Sequence, residues 1–415
     1  MALVGELELE SFDYTDPQLK GERFHAAMRE LAAKGWLAAG PYGYVVLDRE
    51  AGEFFLRTRS AIFPGMKIAE LFDVKEGPLW EEMERNILHV NGADHTRLRS
   101  LVNPSLSPRA VEHWRPTVRR FMGELYERVA DAGRCEFVGA FAKPYPSQTI
   151  AVVMGAPLED APRLHHWSNW IQRQFDAASM MNERPTIEVA VREFYEYARA
   201  LLAARREQPG EDLISTLLAA EEQGERLSEE ECVNLVLNVL IGGVDTTQSQ
   251  LAHAVRLLAE HPEQWRALVE DPSLAPAAVE EALRYEPITP FTARIAIEEL
   301  TYRDITFPKD TIVMVCAFTG NRDLPGTEPG ADEMSRGDGG AHSFDITAER
   351  PKARALTFGA GVHYCLGANL ARLELEEGLS FLARNMPLLE LDGEPVFESI
   401  LGIYGLAELP IRFGS

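Results

Sequence analysis

Apolar positions recur at helical spacing through residues 17 to 38 and then contract into a short run, Tyr42-Gly43-Tyr44-Val45-Val46-Leu47, closed by Asp48. The change of period predicts a helix followed by a strand, and so a small sheet near the N-terminus. From Ile62 to Val90 no period is sustained, and Pro64-Gly65 and Gly77-Pro78 punctuate an irregular loop with short helices. Loops of that length in a folded protein usually serve function. Helical patterns dominate from Asp94 to about Gly224, broken at prolines such as Pro104, Pro144 and Pro185. The longest helical stretch starts at Ser228, with Glu231 completing a capping box and Leu227 placed to staple onto Cys232, and runs to His261 before Pro262. At ~1.5 Å per residue it would span roughly 50 Å. Its middle, Val233 to Ile241, is apolar except for Asn234 and Asn238, which implies burial on most sides. From Ala293 to Val315 the pattern turns β-like around Pro308-Lys309-Asp310, predicting a second small sheet. The expectation is a mainly α protein with small β-sheets: one domain over 1–415, β-rich at about 40–60 and 293–316 and helical elsewhere.

Composition narrows the class without changing the fold. Hydrophobic residues make 46% and charged residues 26% of the 415, which is globular usage and excludes a disordered chain. Four cysteines, Cys135, Cys232, Cys316 and Cys365, stand far apart with no C-x-x-C pair, which argues against a zinc ribbon or a covalently attached haem. They read as reduced thiols of a cytoplasmic protein. The first ten residues lack a basic, apolar leader, and no segment reaches the ~18 apolar residues of a membrane span. A net charge of −24 argues against nucleic acid and anionic membranes as partners and favours solubility. The segment Gly326 to His342, rich in Gly, Asp, Glu and Ser, reads as an exposed insertion.

The chemistry concentrates in Phe358-Gly359-Ala360-Gly361-Val362-His363-Tyr364-Cys365-Leu366-Gly367. A lone cysteine stands just before an apolar helical run (Ala368, Leu370, Ala371, Leu373, Leu375), where backbone N–H groups and the helix dipole favour a thiolate. Its glycines allow tight turns and close approach to a flat ligand. Alone, such a cysteine is most often inert and buried. The whole pattern, Phe-Gly-x-Gly-x-His-x-Cys-x-Gly, resembles the cysteine-ligand loop of the cytochrome P450 family. The resemblance implies that Cys365 binds the iron of a non-covalent haem b, with Phe358, Gly359 and Gly367 shaping the loop around it. It implies the family's fold, with a long buried distal helix over the haem and the cysteine loop on the proximal side.

Other stretches carry the same resemblance in the expected order. Gly242-Gly243-Val244-Asp245-Thr246-Thr247 interrupts the buried helix, and two glycines there cost ~1 kcal/mol each in helix propensity. It is similar to the family's distal-helix motif, by which Thr246 would hydrogen-bond the bound oxygen and Asp245 would relay protons to it. Glu281 and Arg284, three apart on a helix from Pro276 to Tyr285, look like the family's Glu-x-x-Arg pair. Arg350, reached from Phe344-Asp345 by a longer spacing than usual, is the candidate third member. His95 and Arg99, one helical turn apart, together with Arg294 and His363, fall at the family's propionate-binding positions; singly, each would read as a solvated surface residue.

By this resemblance the chain is a haem-thiolate monooxygenase inserting one atom of O2 into an apolar organic substrate, as a monomer. Electrons would come from a separate ferredoxin or flavodoxin-like donor with an NAD(P)H-dependent reductase, since the chain carries no flavin or NAD fingerprint. Arg97, Arg109, Arg115, Arg119 and Arg120 would offer that donor local positive charge. The alternatives are a peroxide-driven oxygenase or dehydratase on the same fold, or a ligand sensor without turnover. Candidate pocket residues are Leu79, Met83, Ile87, Leu88, Leu240, Gly243, Thr289, Phe291, Ile403 and Tyr404, mostly apolar.

Overall fold

The computed structural model describes residues 1–222, 227–323, 340–350 and 354–414. The chain folds as two compact units that share it in alternation: Met1–Pro64, His253–Cys365 and Pro395–Ala407 form one, and Gly65–Ala252, Leu366–Glu394 and Glu408–Ser415 the other. The expected insertion lies, through residue 339, outside the described residues.

In the first unit strands of the two expected sheets join in one, while Leu300–Tyr302 and Ile305–Phe307 pair with each other and with Ala2–Leu3 in a separate three-stranded sheet. The strands run Leu37–Gly40, Gly43–Val46, Ile312–Cys316, Phe291–Ala296, Ala61–Ile62 across a five-stranded sheet. Tyr44 pairs in parallel with Val313, whose strand pairs antiparallel with Phe291–Ala296. Periodicity reports each strand but not a pairing across more than two hundred residues. Between Val46 and Ala61 the expected β-rich stretch is instead a helix, Arg49–Arg57, because the Asp48 carboxylate accepts the Ala51 N–H and caps it. Apolar residues pack around this sheet in two clusters, one holding Phe55, Phe307 and Val315, the other Phe24, Phe291, Phe318 and Tyr404.

The second unit is mainly helical. A three-stranded antiparallel sheet of Leu388–Leu391, Pro410–Gly414 and Arg134–Glu136 lies within it, unforeseen because each strand is five residues or shorter. The Ser228 hydroxyl accepts the Glu231 N–H while the Glu231 carboxylate accepts the Ser228 N–H, so the long helix starts at Glu229 as its capping box dictates. It does not run unbroken to His261. It ends at Gly243, and a second helix spans Asp245–Glu260, with Val244 outside both. The glycines and the Thr246 hydroxyl, which donates to the Gly242 carbonyl at 2.6 Å, account for the break. Among the described residues no helix is long and apolar enough to cross a membrane.

Candidate active site

The first unit carries the cysteine loop. Two short 3₁₀ turns, Leu356–Phe358 and Gly361–His363, fold it back so that the Cys365 N–H donates to the Phe358 carbonyl at 2.9 Å and the Tyr364 N–H to the Gly361 carbonyl at 3.1 Å. Gly361 has φ +73°, and a Cβ there would stand 2.6 Å from the Leu56 carbonyl oxygen, so no other residue fits. The Cys365 side chain is partly exposed, and the helix Ala368–Asn385 begins three residues on with Gly367 as its cap. None of the four cysteines forms a disulfide.

Arg294 provides the test of whether a haem suits this unit. It lies on the strand Phe291–Ala296 with 3% exposure, its Nη1 donates to the Ala293 carbonyl, and among the described residues no carboxylate pairs with it. Burial pulls its guanidinium down to about 10. A buried cation without an anion is costly, so the site suits a carboxylate-bearing ligand such as haem through its propionates. His363 sits half-buried in the same unit. His95 and Arg99 belong to the second unit, on the helix Gly92–Val102; burial, and then the Arg99 cation, lower the His95 pKa. We expect Arg294→Leu to weaken haem retention by ~1.5–3 kcal/mol, the scale of one charge-assisted hydrogen bond. Transfer of haem to apomyoglobin checks it, and equal transfer rates for wild type and variant would remove Arg294 from the site.

Glu281 is gripped from two sides. Arg284 donates to both its oxygens at 2.7 and 2.8 Å, and Arg350 to both at 3.1 and 2.9 Å. Both guanidiniums also reach carbonyls of 340–343, so the forked contacts tie that segment to the helix Ala275–Tyr285. The long spacing to Arg350 does not prevent the contact.

In the second unit the distal motif shows a break in burial. From Cys232 to Leu258 every residue is buried except Asn238, Gly242, Gly243 and Thr246. Gly242 has open space where a side chain would be, whereas a Cβ on Gly243 would meet Ile150 at 2.3 Å. Gly243 thus owes its lack of a side chain to the packing of Ile150. Asp245 is 5% exposed and accepts from the Ser168 hydroxyl and, at 3.4 Å, from the Asn169 amide. Burial raises its pKa, offset by Ser168, His165 and Asn169. The His165 Nε2 in turn meets Gln248 Oε1 at 3.0 Å. Sequence reading missed Ser168, Asn169 and His165, which lie some 80 positions from Asp245 on the helix Ala161–Gln172 and carry no motif of their own.

Several pocket candidates are buried among other side chains. Leu79, Met83 and Leu240 are at most 1% exposed. Phe291 packs its ring against Phe12, Tyr14 and Phe24, and Tyr404 stacks on Phe397 while its hydroxyl accepts the Gly21 N–H. Their apolar character reflects packing, which sequence alone does not separate from pocket lining. Ile87 is nearly covered, and Leu88, Thr289 and Ile403 keep exposed surface. The docking arginines are mostly neutralised: Arg97 pairs with Glu231, Arg115 with Glu112 and Glu377, Arg119 with Glu377, and Arg120 with Glu124. Arg109 alone of the five has no ion pair among the described residues.

A model of the family described as Cytochrome P450 matches residues 18–325. Luteothin monooxygenase of Streptomyces thioluteus is 33% identical over 409 residues, covering 98% of this chain and 97% of that protein. Among solved structures, CalO2 superposes with a TM-score of 0.87 at 29% identity over 98% of this chain and 99% of its own. P450BioI, in complex with hexadec-9Z-enoic acid ligated acyl carrier protein, gives 0.83 at 28% identity over 95% and 99%.

Proposed function

The chain belongs to the cytochrome P450 family and is a haem-thiolate monooxygenase of organic substrates, and from that premise we propose that Cys365 is the iron ligand and that 1–415 is a single domain of this family. The observation that carries the assignment is the cysteine loop, whose backbone is folded by Phe358, Gly361 and the Cys365 amide so that the thiol stays partly exposed. Arg294, with His363, His95 and Arg99, would hold the propionates of haem b, kept without a covalent link because no second cysteine neighbours Cys365 in sequence. Thiolate-ligated haem supplies cleavage of the O–O bond, one atom passing to the substrate and the other to water.

The chain's own residues supply position and protons. Thr246 Oγ1 commits its proton to the Gly242 carbonyl and keeps lone pairs with which it would accept a hydrogen bond and so orient a proton-bearing group beside it. Asp245, buried and held by Ser168, carries protons inward. The substrate is an extended, largely apolar molecule, a reading supported by the acyl chain of the P450BioI complex. Electrons come from a ferredoxin or flavodoxin-like protein with an NAD(P)H-dependent reductase. The enzyme works as a cytoplasmic monomer, its charge of −24 keeping copies apart. Purified enzyme given NADH, a surrogate ferredoxin and its reductase should turn over apolar substrates with labelled oxygen from O2 in the product. Product formed with hydrogen peroxide but not with the electron chain would favour the peroxide-driven alternative.

A further inference from the structure

Asn234, Asn238, Gly242 and Thr246 follow one another at intervals of four along the helices Glu229–Gly243 and Asp245–Glu260. Each such step turns by about 40° and rises ~6 Å, so they trace a slowly winding stripe, with Asn238 ~12 Å and Asn234 ~18 Å along the axis from Thr246. The stripe is open at Thr246, Gly242 and Asn238 and passes under cover at Asn234, which is 1% exposed.

At the covered end stands a polar cluster that the site described above does not use. Glu82, on the helix Pro78–Arg85, is fully buried. One of its oxygens accepts from the Asn86 amide at 2.5 Å, and the other has no partner at full hydrogen-bond geometry, although the Gln174 side chain stands near enough to favour the charged form. Gln174 acts on that carboxylate, donates its own Nε2 to the Ile171 carbonyl at 3.1 Å, and leaves its Oε1 without a donor. Asn234 donates to the Tyr195 hydroxyl at 2.9 Å and its Oδ1 is likewise unmatched; Glu82 bears electrostatically on the same tyrosine. Asn238 accepts the Ile87 N–H at 2.9 Å, which fixes its amide, and its Nδ2 has no acceptor among the described residues. Three buried acceptors and one buried donor, drawn from two helices and the 3₁₀ turn Arg173–Phe175, are more than packing requires, and each costs free energy while unmatched.

The inventory is chemically specific. A hydroxyl both donates and accepts, which satisfies a carboxylate or amide oxygen and the Asn238 N–H together. A carboxylate donates nothing and would face Glu82, and an ether oxygen donates nothing. Burial pushes Glu82 up to about 7, so above that pH it is a charged acceptor.

Resting on the monooxygenase reading, we propose that this cluster is the far end of the substrate site, where the terminal hydroxyl of an elongated substrate donates to Glu82 and accepts from the Asn238 amide, with Gln174 and Asn234 beside it, while the carbon to be oxidised lies beside Thr246.

The test is spectral. Ferric holoenzyme at about pH 8, where Glu82 is ionised, is titrated with 1-dodecanol, 1-tetradecanol and 1-hexadecanol, with their methyl ethers, and with the fatty acids of the same lengths. Displacement of the iron-bound water is read from the Soret shift. At least one alkanol should bind about tenfold more tightly than its ether and its acid, the worth of one hydrogen bond to a charged group. Glu82→Leu should erase that preference. Because Glu82 is buried, the near-isosteric Asn238→Asp serves as a second variant, and it should also lose the preference, since a carboxylate cannot donate to the hydroxyl. Equal binding of alkanol and ether, absence of binding by all of them, a preference that survives both variants, or the opposite Soret shift of a hydroxyl placed at the iron would each overturn the proposal. The red-shifted band of the reduced CO form, recorded on the same samples, reads the haem-thiolate assignment separately.

Discussion

Cys365→Ser abolishes the strongly red-shifted Soret band of the reduced, CO-bound protein, while Cys135→Ser, Cys232→Ser and Cys316→Ser keep it. The four thiols differ in surroundings more than in chemistry. Cys232 and Cys316 are at most 1% exposed, and Cys316 touches the Met28 thioether. Burial raises the Cys316 pKa and pushes Cys135 up to about 12, which keeps both protonated and poor ligands. Cys135 and Cys365 are both partly exposed, but only Cys365 sits on a backbone that two positive-φ glycines and its own N–H hold in place, just before the helix that begins at Ala368. The serine variant keeps that backbone, so far-ultraviolet dichroism should match wild type and isolate the loss to the sulfur. Loss of the band in one of the other three variants, with Cys365→Ser unaffected, would move the ligand elsewhere.

Thr246→Ala leaves haem and substrate binding nearly intact and separates electron flow from product. Among the described residues the hydroxyl bonds to the Gly242 carbonyl across the helix break, and its position is among the few left unburied there, so its removal opens no core cavity. Without it the oxygen to be protonated is no longer oriented, and NADH and O2 consumption continue while product falls by ~10²-fold, the scale of one positioned acid–base group, and hydrogen peroxide rises. Asp245→Asn acts earlier. It keeps the shape but removes the proton-carrying group beside Ser168 and His165, so oxygen consumption itself slows. Product, peroxide and oxygen measured together distinguish the two, and full coupling in Thr246→Ala would place the relay elsewhere, with Thr247 the next group to test.

The cysteine loop, the distal motif and the capping box were legible in the sequence because each is local: a few residues dictate both the backbone turn and the chemistry. Gly361 can be nothing but glycine where a Leu56 carbonyl approaches, and Ser228 with Glu231 starts a helix regardless of what packs on it. Apolar residues were less legible, since hydrophobicity drives Tyr404 into an aromatic cluster and would equally suit it to a pocket. The glycine pair shows the same limit: sequence marks both as helix-weakening, and only the packing of Ile150 on Gly243 separates the filled position from the open one.

What the chain determined by itself, then, was the set of elements and the chemistry carried on short turns, because backbone propensity and capping act over a few residues. What only the tertiary structure decided was pairing at long range: the Tyr44 strand on the Val313 strand, Arg350 on Glu281, Ser168 on Asp245 and Glu82 beside Gln174. Such partners answer to burial, which forces each polar group to find a match wherever the fold brings one, and no periodicity records which match that will be.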